Sequence, residues 1–510
     1  MKKTLSVILS IILILGICAP AAYAADDKCD CGFSPVIYVA ALGSATVYGD
    51  YGTDSQHALF RPDTTALIGD AVTALAPAVP ALLAGDYDSF GHTLTGFVND
   101  AFGDLALDGN GDSIDGVYAE YNEITENEAQ HGPEYSFYFN YDFRLDPYEH
   151  ADRLNDCIQK MKELTHHDQV QLKASSMGGV VTMAYLERYG TADVETIILQ
   201  CCPILGTDVA GDLFNGKFMI NKDALVNYAL DAIPNLESDP LQGLLISLVY
   251  ALDELGIWEF ILTQVDTLVP ELIDIVYDEA LIPIFGSMPG LWSFVPHESY
   301  ESAKAIMVNE ETQAGLIERI DAYHYNVQYR AADILREANE TVKIYIIAGY
   351  DVQRTPLVEA YMNTSDGTVD TKYASVGGTC ADYGTTFEDD YVQKIDDGHN
   401  HLSADGMIDA STCALPESTW FINDMIHSTT HDGHDEFYTW LLTSDEQQTV
   451  HSNEKYPQFM QNDIPDQSFD QVSKADPVEE FKASPSFTNF AKLLQYFFNI
   501  LKDRLFRFFA

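Results

Sequence analysis

Residues 170–179 constrain this chain more than any other stretch. A strand-like Val170-Gln171-Leu172 runs into Lys173-Ala174-Ser175-Ser176-Met177-Gly178-Gly179, and an apolar, helix-like Val180-Val181-Thr182-Met183-Ala184-Tyr185-Leu186 runs out. Small residues two before and two after a central Ser let the backbone turn sharply between strand and helix. The hydroxyl is then held up at the end of the strand, where a base can reach it. Ser176 is the candidate nucleophile. Ala174 stands where such turns usually carry glycine, and the same five residues also describe an ordinary strand-to-helix turn with a capping Ser. The surrounding chain must therefore carry the argument.

Short apolar runs rich in Val, Ile and Tyr alternate with helical patterns: Val36-Ile37-Tyr38-Val39, residues 135–141, Val170-Gln171-Leu172, Thr196-Ile197-Ile198-Leu199, residues 342–347 and Trp420-Phe421-Ile422. Such alternation predicts an α/β fold, a mostly parallel, doubly wound sheet with helices between its strands. Ser176 follows the third run, at the carboxyl edge where open parallel sheets bind ligands. Between the fourth and fifth runs, residues 206–339 read as helices throughout, most apolar over 241–265 and 268–281. An insertion of this size is expected to be a helical cap over the strand ends that creates an apolar pocket; a separate helical domain is the alternative.

A serine hydroxyl needs an imidazole to take its proton, and the imidazole needs a carboxylate to fix its tautomer. On a doubly wound sheet the acid follows a later strand and the histidine follows the last one. Beyond residues 342–347 comes Ser365-Asp366-Gly367-Thr368-Val369, which offers Asp366, with Asp370 as close competitor. The run read as the final strand leads through Asn423-Asp424-Met425-Ile426 to His427, with His431 and His434 nearby. The developing oxyanion calls for two backbone N–H groups. Met177, the residue after the nucleophile, supplies one. Leu42, in the loop Ala40-Ala41-Leu42-Gly43 after the first strand, is the choice for the other, with Ala41 as alternative.

The chain opens with Lys2-Lys3, an apolar run over 5–17 and Ala22-Tyr23-Ala24, the pattern of an export leader spanning 1–24. A secreted, extracellular protein is the expectation. Of 510 residues, 79 are acidic and 27 basic, a net charge of -52 whose field repels polyanions, so nucleic acid is not an expected partner. Eight cysteines become seven once Cys18 leaves with the leader. Cys380 and Cys413 are the first candidate pair for a disulfide. Cys29 and Cys31 are too close to bridge each other easily, and their spacing does not read as zinc. Asp108, Asn110 and Asp112 alternate as in a calcium loop, but Ser113 holds the glycine position and Glu120 comes one place late, which favours a plain polar turn. The catalytic unit is read as 25–462, followed by an acidic linker over 463–486. The helical spacing of apolar residues over 487–510 is read as a basic amphipathic helix, suited either to a membrane surface or to docking and self-association.

Taken in order, these segments resemble α/β-hydrolases of the lipase and lecithin:cholesterol acyltransferase-like group. Residues 34–44 resemble that group's first strand and oxyanion loop, Tyr141-Asp142-Phe143-Arg144 its Tyr-Asp-Trp-Arg segment, Gly286-Ser287-Met288-Pro289-Gly290-Leu291-Trp292 with Pro296 its cap segment, and Ser365-Asp366-Gly367-Thr368-Val369 its acid loop. Ala40-Ala41 departs from the Pro-Gly or His-Gly usual in the family's oxyanion loop. The resemblance implies the α/β-hydrolase fold and a serine carboxyl-ester hydrolase using Ser176, Asp366 and His427, with no metal or other cofactor in the mechanism. Lipid or medium-chain acyl esters are the expected substrates. An acyltransferase is the nearest alternative, and a catalytically inactive surface-binding protein on the same scaffold is the second.

Overall fold

The computed structural model describes residues 29, 31–60, 74–78, 80–81, 84–218, 272–354, 358–427, 435–463 and 468–472. Its central sheet contains β1 (Val36–Val39), β2 (Ser136–Phe139), β3 (Val170–Ser175), β4 (Val194–Gln200), β5 (Lys343–Tyr350), β6 (Thr419–Asn423), β7 (Phe459–Asp463) and β8 (Ser468–Gln471). They lie in the order β8-β7-β6-β5-β4-β3-β1-β2. Every neighbouring pair is parallel except β7 and β8. The fold is therefore α/β, as its alternating pattern predicts.

The two faces of the sheet are separated by the two-residue period of the strands. Ile37, Val39, Ile197, Leu199, Ile344 and Ile346 enter one core, which they share with helices α1 (Pro147–Thr165), α2 (Gly178–Tyr189) and α3 (Ala331–Asn339). The intervening Val36, Ile198, Tyr345 and Ile347 enter the opposite core with Phe437 and Leu441 of α4 (Asp435–Thr443). Because both faces are covered, β5 is buried at every position after Lys343 and reads as a continuous apolar run. Helix α1 begins where Asp146 accepts from the Tyr148 N–H at 2.9 Å and Pro147 occupies the first turn. Its buried Ala151, Leu154, Ile158 and Met161 recur at helical spacing.

Strand order reverses around β1: the chain leaves β1 toward β2, then returns across it to β3 and proceeds outward through β7. The crevice at the carboxyl ends of β1 and β3 is a topological switch point, the place where such sheets bind ligands. The described parts of the insertion between β4 and β5 are helical, including Asp208–Phe214, His297–Met307 and Ala314–Tyr323. Ala280, Ile284, Met288, Tyr323 and Val327 from this insertion join the same core as α1 to α3. Residues 219–271, which hold the whole of 241–265 and the start of 268–281, lie outside the described residues, as do the leader 1–24 and the terminal segment 487–510.

Two expectations about the carboxyl-terminal part require correction. The strand before His427 is not the last, because β7 and β8 follow it, and β8 lies inside the stretch read as an acidic linker. β8 is the edge strand and β7 pairs with β6 on one side and β8 on the other, so backbone pairing at the margin of the sheet holds both, and Gln461, Asn462, Asp463, Asp470 and Gln471 replace the apolar run that would have announced them. A three-stranded sheet of Val47–Gly49, His57–Phe60 and Tyr118–Ala119 and a short pair, Thr379–Cys380 with Ile408–Asp409, likewise escape the pattern.

The Tyr-Asp-Phe-Arg segment after β2 ties the sheet to the insertion. Arg144 is fully buried and donates from Nε and Nη2 to the Asp142 carboxylate at 2.9 and 2.6 Å, from Nη1 to the Leu105 carbonyl at 3.1 Å and from Nη2 to Ser113 Oγ at 3.0 Å. Its own carbonyl accepts from Gly290 N–H at 3.0 Å. A Cβ on Gly290 would lie 2.0 Å from the Phe143 carbonyl oxygen, so glycine is required for this approach. Replacing Arg144 by Met is expected to cost about 3–5 kcal/mol, because the Asp142 charge stays buried without its partner. A thermal midpoint equal to that of the parent would contradict this role.

Candidate active site

Ser176 sits at the end of β3 with φ of 52°, a left-handed conformation that a non-glycine residue adopts only when its surroundings hold it there. Its N–H donates to the Gln200 carbonyl at 3.0 Å, anchoring the turn to β4. The two glycines that follow are required by contact. A Cβ on Gly178 would stand 2.1 Å from the Val39 carbonyl oxygen, and one on Gly179 would stand 2.4 Å from Cys202 Cβ. Helix α2 therefore starts directly against the end of β1, which brings the loop after β1 beside Ser176.

Asp366 reaches the same place from β5 by an indirect route. After Tyr350 the chain makes an excursion and returns so that Val352 N–H donates to the Ser365 carbonyl at 2.9 Å. Gly367, with φ of 91°, turns the loop, and Asp366 Oδ1 accepts from Thr368 N–H at 2.9 Å and Val369 N–H at 2.7 Å. These bonds leave Oδ2 facing His427. The ring arrives from β6: Asp424 takes φ of 56°, and His427 N–H donates to the Asp366 carbonyl at 2.9 Å. His427 Nδ1 then lies 2.7 Å from Asp366 Oδ2, and Nε2 lies 2.8 Å from Ser176 Oγ. The structure thus brings all three sequence-predicted groups into one hydrogen-bonded line.

The electrostatics follow from burial and charge. Burial disfavours the His427 cation, but the Asp366 carboxylate, by its charge and its hydrogen bond, more than offsets this and holds the imidazole above its ordinary 6.5. Nδ1–H to Asp366 is the tautomer that leaves Nε2 free to accept the Ser176 proton. Beneath the carboxylate lies Cys201, buried at the end of β4. Desolvation, with the Asp366 charge adding to it, pushes that thiol well above its usual range, so it stays a neutral S–H donor to Asp366. Gly349 on β5 completes the support: a Cβ there would meet Met425 O at 2.6 Å and Asp366 Cβ at 2.8 Å. Neither residue carries a motif that names it in advance; Gly349 interrupts an apolar strand, the one local sign of a close backbone approach.

A cavity of about 410 Å³ opens over Ser176 and His427, lined by Leu42, Pro203, Thr207, Phe294 and Val369 among others. Phe294 and Thr207 come from the two described arms of the insertion, joined where Thr207 N–H donates to the Phe294 carbonyl at 2.8 Å. The loop carrying Leu42 is fixed at its base by the buried Tyr141 hydroxyl, which donates to the Ala40 carbonyl at 2.7 Å. Among the described residues, neither the Met177 N–H nor the Leu42 N–H donates to a protein acceptor. A larger depression of about 680 Å³, lined by charged groups such as Asp146, Glu187, Arg188 and Arg319, lies away from the three catalytic candidates.

The competitors are accounted for. Asp370 is buried among Arg354 Nη2 at 3.1 Å, Asp208 N–H at 2.8 Å and Asn363 Nδ2 at 2.7 Å, so it ties the acid loop to the insertion instead of facing His427. Burial raises its carboxyl, and Arg354 with these donors brings it below the ordinary value. His431 and His434 lie outside the described residues. Asp108 Oδ1 accepts from the N–H groups of Asn110 and Asp112 at 2.8 and 3.0 Å, and Asp112 pairs with Arg319 at 2.5 Å, the geometry of a self-closed polar turn. The pairing of Cys380 with Cys413 is not seen: all seven cysteines among the described residues are free. The Cys380 thiol turns to the Gly378 carbonyl at 3.6 Å, while Cys413 packs beneath Ser375. Asp397, His399, His401 and Glu417 also cluster closely enough to hold a metal ion.

Neither a protein-family model nor a curated protein matches this chain. The site rests on its own geometry. In an NMR titration, the His427 ring is expected to titrate above 6.5, and Asp366→Asn is expected to move the midpoint below 6.5, because burial remains after the charge has gone. A midpoint that does not move would separate the imidazole from this carboxylate.

Proposed function

We propose that this chain is a secreted serine carboxyl-ester hydrolase of the α/β-hydrolase fold, acting on lipid or medium-chain acyl esters. The observation that carries the reading is His427 lying between Asp366 Oδ2 at 2.7 Å and Ser176 Oγ at 2.8 Å, at the switch point of a parallel sheet. Ser176 Oγ attacks the ester carbonyl carbon as its proton passes to His427 Nε2. Asp366 stabilises the imidazolium through Nδ1–H. The carbonyl oxygen, now negative, is taken up by the N–H groups of Met177 and Leu42. As the intermediate collapses, the bond from carbon to the alcohol oxygen breaks and His427 returns the proton to the departing alcohol. Water then attacks the acyl-Ser176 ester with His427 again acting as base, releasing the acid and restoring the serine.

The substrate class follows from the walls of the cavity. Leu42, Pro203, Phe294 and Val369 offer apolar surface beside the nucleophile, suited to an acyl chain, where burial is worth about 0.8 kcal/mol per CH₂. No described residue on that wall offers a fixed cation for a charged acyl group. Backbone donors at Met177 and Leu42 with no acceptor among the described residues support an active enzyme over an inactive scaffold despite the Ala40-Ala41 departure.

The test is hydrolysis of a series of chromogenic esters from acetyl to palmitoyl by the mature protein and its Ser176→Ala variant. Turnover is expected to prefer chains longer than acetyl and to fall by roughly 10⁴-fold or more in the variant. Adding an alcohol acceptor to the same assay distinguishes acyl transfer from hydrolysis by the product formed. Absence of turnover on every ester, with or without acceptor, would overturn the reading.

A further inference from the structure

Cys29, Cys31, His131 and His167 come from three separate stretches of chain, yet their four candidate ligand atoms all lie within 4.8 Å of one another. Cys29 Sγ is 3.7 Å from His131 Nε2, and Cys31 Sγ is 3.3 Å from His167 Nε2. The two rings meet edge to face with centroids 4.9 Å apart. A tetrahedral zinc ion with bonds of about 2.3 Å to sulfur and about 2.0 Å to nitrogen sets its ligand atoms roughly 3.3–3.8 Å from one another. Both measured sulfur-to-nitrogen separations fall in that range. We propose that these four residues form a structural zinc site.

The sheet register explains the convergence. Val36 of β1 lies opposite Ser136 of β2 on one side and Gln171 of β3 on the other, so the segments entering these three neighbouring strands emerge side by side. Cys29 and Cys31 lead into β1, His131 into β2 and His167 into β3. The Cys29 N–H donates to the His166 carbonyl at 2.9 Å, which fixes the first thiol beside the second imidazole. The site stands at the amino ends of the strands, opposite the carboxyl ends where Ser176 lies.

Donor chemistry selects the metal. Two sulfurs and two imidazole nitrogens are the soft and borderline donors that zinc takes in closed structural sites, whereas calcium and magnesium take oxygen. Four protein ligands leave no position for a water or substrate, so the ion fastens the segment before β1 to the sheet and takes no part in ester chemistry. The cluster of Asp397, His399, His401 and Glu417 makes a weaker case. There the polar atoms satisfy one another, with His399 Nδ1 on Glu417 at 2.7 Å and His401 set between Gln458 at 2.7 Å and Asp397 at 3.0 Å, so those bonds alone account for the arrangement.

The test uses the mature full chain purified without chelator. Elemental analysis is expected to find one equivalent of zinc fewer in Cys29→Ser/Cys31→Ser than in the parent. Cobalt exchange is expected to give a thiolate-to-cobalt charge-transfer band that the double variant lacks. Chelation should lower the thermal midpoint of the parent and leave that of the double variant unchanged. Should the double variant fail to fold, His131→Ala, on an exposed residue, serves in its place, with zinc affinity expected to drop by more than the roughly 10–100-fold that loss of a supporting residue costs. Equal zinc in parent and variant, or a metal-free folded parent whose Cys29 and Cys31 are held in disulfides, would overturn the proposal.

Discussion

The close approach of Gly178 to the Val39 carbonyl is the contact on which the rest of this structure turns. It places the start of α2 directly on the end of β1 with no room for a side chain. The left-handed Ser176 is thereby held between the loop after β1 and the end of β4, and the cavity opens where those elements meet. Because β1 and β3 are neighbours from which the chain departs in opposite directions, a crevice is left between their carboxyl ends. The sheet supplies the vacancy, and the glycine lets the helix close down beside it.

Burial and charge oppose each other at this site and are balanced by local donors. Asp366 keeps its carboxylate oriented by spending one oxygen on two backbone N–H groups, which frees the other for His427. The imidazole is desolvated by the same walls that make the cavity apolar, yet the carboxylate keeps it readily protonated. A histidine with either influence alone would be a poorer base or a poorer proton donor. The proposed zinc site occupies the other end of the same three strands, so the register that aligns the crevice also gathers the thiols and imidazoles.

What was legible in the sequence was what local chemistry encodes. The strand-Ser-Gly-Gly-helix run around Ser176 and the Asp-Gly turn at Asp366 each carry their own backbone requirement, and the apolar strands β1 and β3 to β6 announce themselves because both faces are covered. His427 needed only its ordinal place after a strand. The strands β7 and β8 were hidden because backbone pairing at the margin of the sheet holds them without an apolar run, and Asp370 was separable from Asp366 only through Arg354 and Asp208, partners outside the acid loop. The Cys29 and Cys31 spacing gave no sign of a metal for the same reason: the two remaining ligands come from the segments leading into two other strands, and only register assembles them.

Activation of Ser176 by His427 and Asp366 is read at the residue itself by intact and peptide mass spectrometry of the native protein after treatment with a fluorophosphonate. A single stoichiometric adduct on Ser176 is expected, forming far more slowly when His427 is replaced by Ala. A protein that stays unmodified, or one labelled equally fast without His427, would contradict it.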